Sequence, residues 1–186
     1  MTHRTLEQLD AGLPRVLAAP AEQGTVRLVV RRPGPDQREV VSEGRLDTEQ
    51  GLVGDDWIHR PGRHTGQPPL YAQITVMNAR FCELISGDPD PASWTPSGDQ
   101  LYLDLDISEA NLPPGTRIAV GEAVLEIRPE PHTGCVKFRD RWGQDVLRFA
   151  SSEQGRALRL RGANTTVVRT GTVRPGDVVR KLGPEP

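Results

Sequence analysis

The chain has 186 residues, 17 prolines, 19 glycines and a net charge of -2, a size that suits one domain, 1–186, able to bury a core without disulfide or metal staples. The near-neutral balance, with a pI of about 6.1, supplies no overall attraction to nucleic acid, whose binders show a basic excess. Cys82 and Cys135, the only cysteines, lie in unlike contexts that argue against a disulfide framework. With no signal-peptide core at Met1 to Glu7 and no apolar run long enough to span a bilayer, the expectation is a cytoplasmic protein with no membrane partner.

Proline and glycine punctuate short runs rich in Val, Ile and Leu, the pattern of a sandwich or barrel, so the fold class expected is mainly β with a few short helices. Thr25 to Arg31 reads as a strand, Arg32-Pro33-Gly34-Pro35 as a turn and Arg38 to Val41 as a partner strand, together a hairpin. Arg45 to Leu52 is a second extended or turning segment. It ends in Gly51-Leu52-Val53-Gly54-Asp55-Asp56, whose glycines allow an unusual backbone path. After a polar loop from Pro61 to Pro69, Tyr71 to Val76 alternates as a strand. Asn78 is placed to cap a helix over 78–86, with Met77, Phe81, Leu84 and Ile85 at helical spacing and Cys82 in the same packing. Residues 87–98 hold too many prolines for regular structure and are expected to form a surface excursion that partly covers a site.

Leu101 to Asp106 alternates strictly, as a strand with one buried face does. Leu112-Pro113-Pro114-Gly115 is a turn, and Thr116 to Gly121 and Ala123 to Ile127 follow as strands. A second helical region spans Arg141 to Leu160. Asn164 to Thr170 and Gly171 to Arg180 close the chain as strands, with Gly162 and Asn164 shaping a turn before them.

Chemistry concentrates at Pro131-His132-Thr133-Gly134-Cys135-Val136-Lys137-Phe138, which puts a thiol at a strand exit beside an imidazole and an ammonium. Free cysteine ionises near pH ~8.5, and a neighbouring cation that stabilises the thiolate lowers that value. His132 and Lys137 are the local candidates, Lys137 by charge and His132 as proton relay. The competing reading is a structural cysteine packing as a small apolar group. Arg139, Arg141, Arg148, Arg156, Arg159 and Arg161 follow in one stretch. They suit an anionic small ligand, or else decorate a solvated face.

Gly51-Leu52-Val53-Gly54-Asp55, Gly98-Asp99-Gln100-Leu101, the run from Leu112 to Glu126, Cys135, and Gly171-Thr172-Val173-Arg174-Pro175-Gly176-Asp177, in that order, resemble a MOSC domain, a name that abbreviates molybdenum cofactor sulfurase C-terminal. The resemblance covers a core of about residues 26–179, and its specificity lies in the ordered combination. It implies a closed β-barrel, like the barrel of pyruvate kinase, with small helical attachments. It also implies binding of the molybdenum cofactor or handling of activated sulfur through Cys135, as a metal ligand or a persulfide carrier, roles a soft thiolate suits. The enzyme class implied is a sulfur transferase or a component of a molybdenum-dependent oxidoreductase. Asp55, His64, Arg139 and Arg141 are the residues expected at the cofactor. His64-Thr65-Gly66, with no arginine after it, departs from reductase-type relatives, and Asp99-Gln100 stands where other relatives carry an arginine-asparagine pair. No pyridoxal phosphate, flavin or iron-sulfur region fits in this chain, so a sulfur donor or electron-transfer protein would be separate.

Two rival chemistries stay open. A cofactor-free hydrolase would use Asp55, Asp56, His59 and His64 as metal or acid-base groups with Cys135, although that spacing is no established zinc signature. A non-catalytic barrel would bind a small ligand, with Trp57, Trp94 and Trp142 lining the pocket or simply packing in the core.

Overall fold

The computed structural model describes residues 3–61 and 66–183. Its first element is a helix, α1 (Leu6–Leu17), to which the sequence analysis assigns no structure. The signal is nonetheless local: the Thr5 hydroxyl accepts from the Gln8 N–H and the Gln8 side chain accepts from the Thr5 N–H. That reciprocal box satisfies amides that a helix start leaves unpaired. Leu9, Leu13 and Val16 repeat at helical spacing and are buried.

Strands β1 (Gln23–Arg31) and β2 (Glu39–Val40) form the expected hairpin, with Val30 opposite Val40. β3 (Gly44–Asp47) and β4 (Gly51–Leu52) make a second, small one. Gly51 turns at φ 70° and Gly54 at φ 84°, backbone conformations that side chains disfavour. β5 (Ile74–Asn78) runs into α2 (Ala79–Ser86), capped by the Asn78 side chain, which accepts from the Arg80 and Phe81 amides. Then follow β6 (Leu101–Asp104), β7 (Arg117–Val120), β8 (Ala123–Pro131), the helices α3 (Val136–Trp142), α4 (Gln144–Ser151) and α5 (Glu153–Ala157), and the strands β9 (Ala163–Arg169), β10 (Gly171–Val173) and β11 (Val178–Lys181).

Around the main sheet the order is β11-β7-β8-β9-β5-β6-β1, and β11 pairs back onto β1, so seven strands close a barrel with β2 attached to β1. Closure leaves those seven strands without a free edge. Among the described residues only β5 and β6 run parallel, and a parallel pair needs a crossover. α2 and a 3-10 turn at Pro91–Ser97 supply it. Both faces of β1, β5 and β6 are therefore covered. Val26, Val29, Val76, Leu101 and Leu103 point into the barrel, whereas Leu28, Val30, Met77 and Tyr102 meet the helices in a second core.

The excursion expected at 87–98 is instead packed structure. Trp94 is fully buried, its indole N–H donating to the Asp88 carbonyl, and the Tyr102 hydroxyl donates to the Trp94 carbonyl. Trp57 and Trp142 are buried as well, in keeping with core packing for all three. The second helical region starts earlier than its spacing suggested, at Val136, and Gly143, at φ 95°, breaks it between α3 and α4. Among the described residues no helix is long and apolar enough to cross a membrane.

Candidate functional site

Cys135 ends the loop after β8 and is the N-cap residue of α3, with its side chain exposed and making no cap hydrogen bond. The register of β8 shifts between Ile127 and Pro131, bringing Pro131 opposite Ala163. Gly134 lies so close to α4 that an added Cβ would come 2.4 Å from a Leu147 methyl. On its other side α3 is tied down by Asp36, a residue at φ 57° in the loop after β1. Asp36 accepts from Lys137 Nζ at 2.8 Å and from Arg141 Nη2 at 3.0 Å. Arg141 Nη1 also donates to the Pro96 carbonyl at 2.9 Å. The Lys137 ammonium, bonded to Asp36, holds that carboxyl below its ordinary range.

The structure thus engages Lys137 and Arg141 with Asp36, and Arg139 with Asp140 at 2.9 Å. Cys82 is the opposite kind of thiol: it is buried, and that burial pushes its ionisation well up.

Behind the loop lies a buried polar knot that the sequence analysis did not assemble. Asp99 Oδ2 accepts from Arg161 Nη1 at 2.8 Å, and Asp99 Oδ1 is 3.4 Å from His132 Nδ1. Arg161 Nη2 donates to the Ser97 carbonyl at 3.3 Å, and its guanidinium lies 4.7 Å from the centre of the Phe138 ring, a cation-π distance. Burial, reinforced by the Arg161 charge and opposed by Asp99, lowers the His132 pKa to about 3. Its imidazole is therefore neutral at neutral pH. It can donate or accept a hydrogen bond there but carries no positive charge. Gly162, at φ 108°, closes the knot: a Cβ there would meet the Val76 carbonyl oxygen at 2.5 Å and His132 Nδ1 at 3.1 Å. Gly162 donates to the Arg159 carbonyl in the turn expected of it, whereas Asn164 lies within β9 and donates across to the Glu130 carbonyl of β8.

Asp55 is equally enclosed. It accepts from the Arg32 amide, from Arg32 Nε and Nη2, and from the Trp57 amide, all between 2.8 and 3.0 Å. Arg32 in turn donates to the Gly98 carbonyl at 3.1 Å, so Asp55 anchors the Gly51–Asp55 motif to the Gly98 turn. Gln100, next in that turn, accepts from the Thr75 amide and hydroxyl and donates to the Gln73 carbonyl. Arg38 packs against Gly98 with its Nε buried and unpartnered among the described residues. Burial, and then the charges of Arg141 and Arg32, lower its pKa.

Of the alternative acid and metal residues, Asp56 pairs with Arg60 at 3.2 Å and His59 ends a 3-10 turn. His64 lies outside the described residues. Among the described residues no three His, Cys, Asp or Glu side chains gather where they could hold a metal ion.

The MOSC domain family matches residues 71–180, more than half of the chain and the part that carries the Gly98 turn, the Cys135 loop and the closing strands. The chain belongs to the MOSC domain family. Its fold is similar to that of the YuaD protein of Bacillus subtilis, at 15% identity and TM-score 0.60 over 88% of this chain and 97% of that one. YiiM of Escherichia coli is similar at 16% identity and TM-score 0.55, over 87% of this chain and 71% of that one. YiiM of Geobacillus stearothermophilus gives 15% identity and TM-score 0.56, over 86% and 75%. No curated protein matches the chain.

Proposed function

We propose that this MOSC-domain chain uses the Cys135 thiol either to bind molybdenum cofactor or to carry activated sulfur, in company with a separate sulfur donor or electron-transfer protein. One observation carries the reading: Cys135 is exposed at the junction of a tightly packed loop and α3, with neither hydrogen-bonded cap nor apolar cover. A structural cysteine would be buried as Cys82 is.

The donor set fits the cofactor. Cys135 offers a soft sulfur to the metal, and Arg38 offers a guanidinium nitrogen with no protein partner among the described residues, suited to an anionic group. When bound, the cofactor would supply a molybdenum centre for redox or sulfur chemistry. The chain's own contribution is positional. Asp36 fixes α3 through Lys137 and Arg141, and the Arg32–Asp55 pair fixes the Gly98 turn.

As a carrier, the Cys135 thiolate attacks the outer sulfur of a donor persulfide. The donor S–S bond breaks, the donor leaves as its thiolate, and the transferred sulfur keeps its proton as Cys135 persulfide. The test is to purify wild type and Cys135→Ser from a host that makes the cofactor, measure molybdenum and pterin, and then load each with a persulfide donor and read the mass. Loading of the wild type by either route, lost in the variant, supports the reading. A wild type that takes up neither sinks it.

A further inference from the structure

Between the end of β8, the Ser108–Leu112 segment and the α5–β9 turn lies a pocket of about 190 Å³, whose walls include Arg128, His132, Gly134, Arg156, Arg159 and Arg161. Four arginines and two glutamates, Glu109 and Glu130, line it. Arg128 is bonded to Glu126 and lies near Glu130, and Arg161 is bonded to Asp99. Arg156 and Arg159 have no carboxylate partner within ion-pair distance among the described residues. Arg156 donates to the Ser151 carbonyl, and Arg159 uses Nη1 alone, on the carbonyls of Ile107 and Leu112. Glu109, also on the wall, acts on Arg159 only from a distance, and burial lowers the Arg159 pKa.

Arg159 sits at φ 47°, one of two non-glycine residues with positive φ among those described. A glycine would take that conformation without strain. The side chain earns its place partly by holding the Ser108–Leu112 segment, and its Nε and Nη2 remain for something else. In the same wall, Arg161 Nε and His132 Nδ1 are buried without a hydrogen-bond partner among the described residues.

We infer that this pocket binds a small oxyanion of the phosphate or sulfate kind, gripped by Arg156 and Arg159. Two guanidinium groups with no carboxylate in ion-pair reach favour an anion even with Glu109 on the wall, and their planar forks bond oxyanion oxygens in pairs. The volume suits such a group with at most a short organic stem, being below the range of about 300–1,000 Å³ typical of drug-sized ligands. Gly134, one residue before Cys135, is part of the wall. Assigning the oxyanion to the substrate of Cys135 rests on the function proposed above, while the binding itself does not.

The experiment is a calorimetric titration of the full chain with inorganic phosphate and inorganic sulfate up to about 10 mM, against chloride at matched ionic strength. Wild type, Arg156→Gln, the Arg156→Gln/Arg159→Gln pair, and Arg174→Gln, an exposed residue paired with Glu43 outside the pocket, are compared. Saturable binding of either ion, weakened about tenfold or more by the double change as expected for loss of charge-assisted bonds, and at least in part by Arg156→Gln alone, is the result expected. Arg174→Gln should bind as wild type does. Because Arg159 also ties a loop, Arg156→Gln reports on the pocket should the double variant fold poorly. Absence of binding by the wild type, or binding indifferent to Arg156 and Arg159, overturns the inference. Sulfur or molybdenum loading of Cys135, measured separately, would be untouched by that failure, and phosphate binding by Cys135→Ser would survive failure of the thiol chemistry.

Discussion

Cys135 and Cys82 carry the same side chain in opposite surroundings. Cys82 is completely enclosed on the buried face of α2, where burial disfavours its thiolate, and Cys135 is open to solvent. Since the thiolate is the reactive form and needs access, iodoacetamide should modify one thiol in the native protein and a second only after unfolding. Peptide mass spectrometry checks this by locating the first adduct at Cys135. His132 makes a different prediction. Its pKa is lowered from 6.5 in an unfolded chain to about 3, so as pH falls through that interval the unfolded chain takes up a proton that the folded one refuses. Folding stability drops as the pH is lowered from about 6.5 towards 3, and above that window the residue contributes no pH dependence. Urea denaturation at successive pH values should show this slope in wild type and a shallower one in His132→Asn.

At the scale of elements, α3 is held by an ion pair exposed to solvent. Both Lys137 and Asp36 are more than half exposed, so screening leaves such pairs little part in overall stability. Their effect is local. Asp36→Ala should leave the urea midpoint nearly unchanged while the amides of Val136 to Trp142 exchange hydrogen faster, since local openings report the contacts of the element itself. Unchanged exchange in α3 would show that packing of Phe138 and Trp142 alone positions the helix that begins at Cys135. β8 and β9 act differently, through backbone register. The shift before Pro131 and the tight turn at Gly162 set His132 against Asp99 and Arg161, and that geometry is held inside the protein.

The whole molecule depends on closure. β11 bonds to β7 on one side and β1 on the other, so a chain ending at Gly176 would expose two strand edges and lose the buried Val179. It should lose the single cooperative unfolding transition of the full chain, as followed by circular dichroism, because an open edge leaves the barrel core to water. Much of this architecture was legible in the sequence. Alternating apolar runs and turn residues marked the strands at 25–31, 101–106, 123–127 and 164–170, whereas the strand read at 71–76 begins only at Ile74, after a 3-10 turn at Leu70–Ala72; Asn78 marked the α2 cap, and the ordered glycine motifs together with Cys135 marked the family. These signals are local, being written in side-chain periodicity and in the φ values that glycine alone takes freely. The capping box of α1 was equally local and lay in the Thr5–Gln8 spacing. The partners of charged groups could not be read in the same way. Asp36 reaches Lys137 across 101 positions, Asp99 reaches Arg161 across 62, and Arg32 reaches Asp55 across 23. Sequence by itself determined a mainly β chain with one thiol at a strand exit. Only the closed barrel decided which cations are spent on carboxylates and which stand free around the pocket, because ion pairing depends on distance in space and not along the chain.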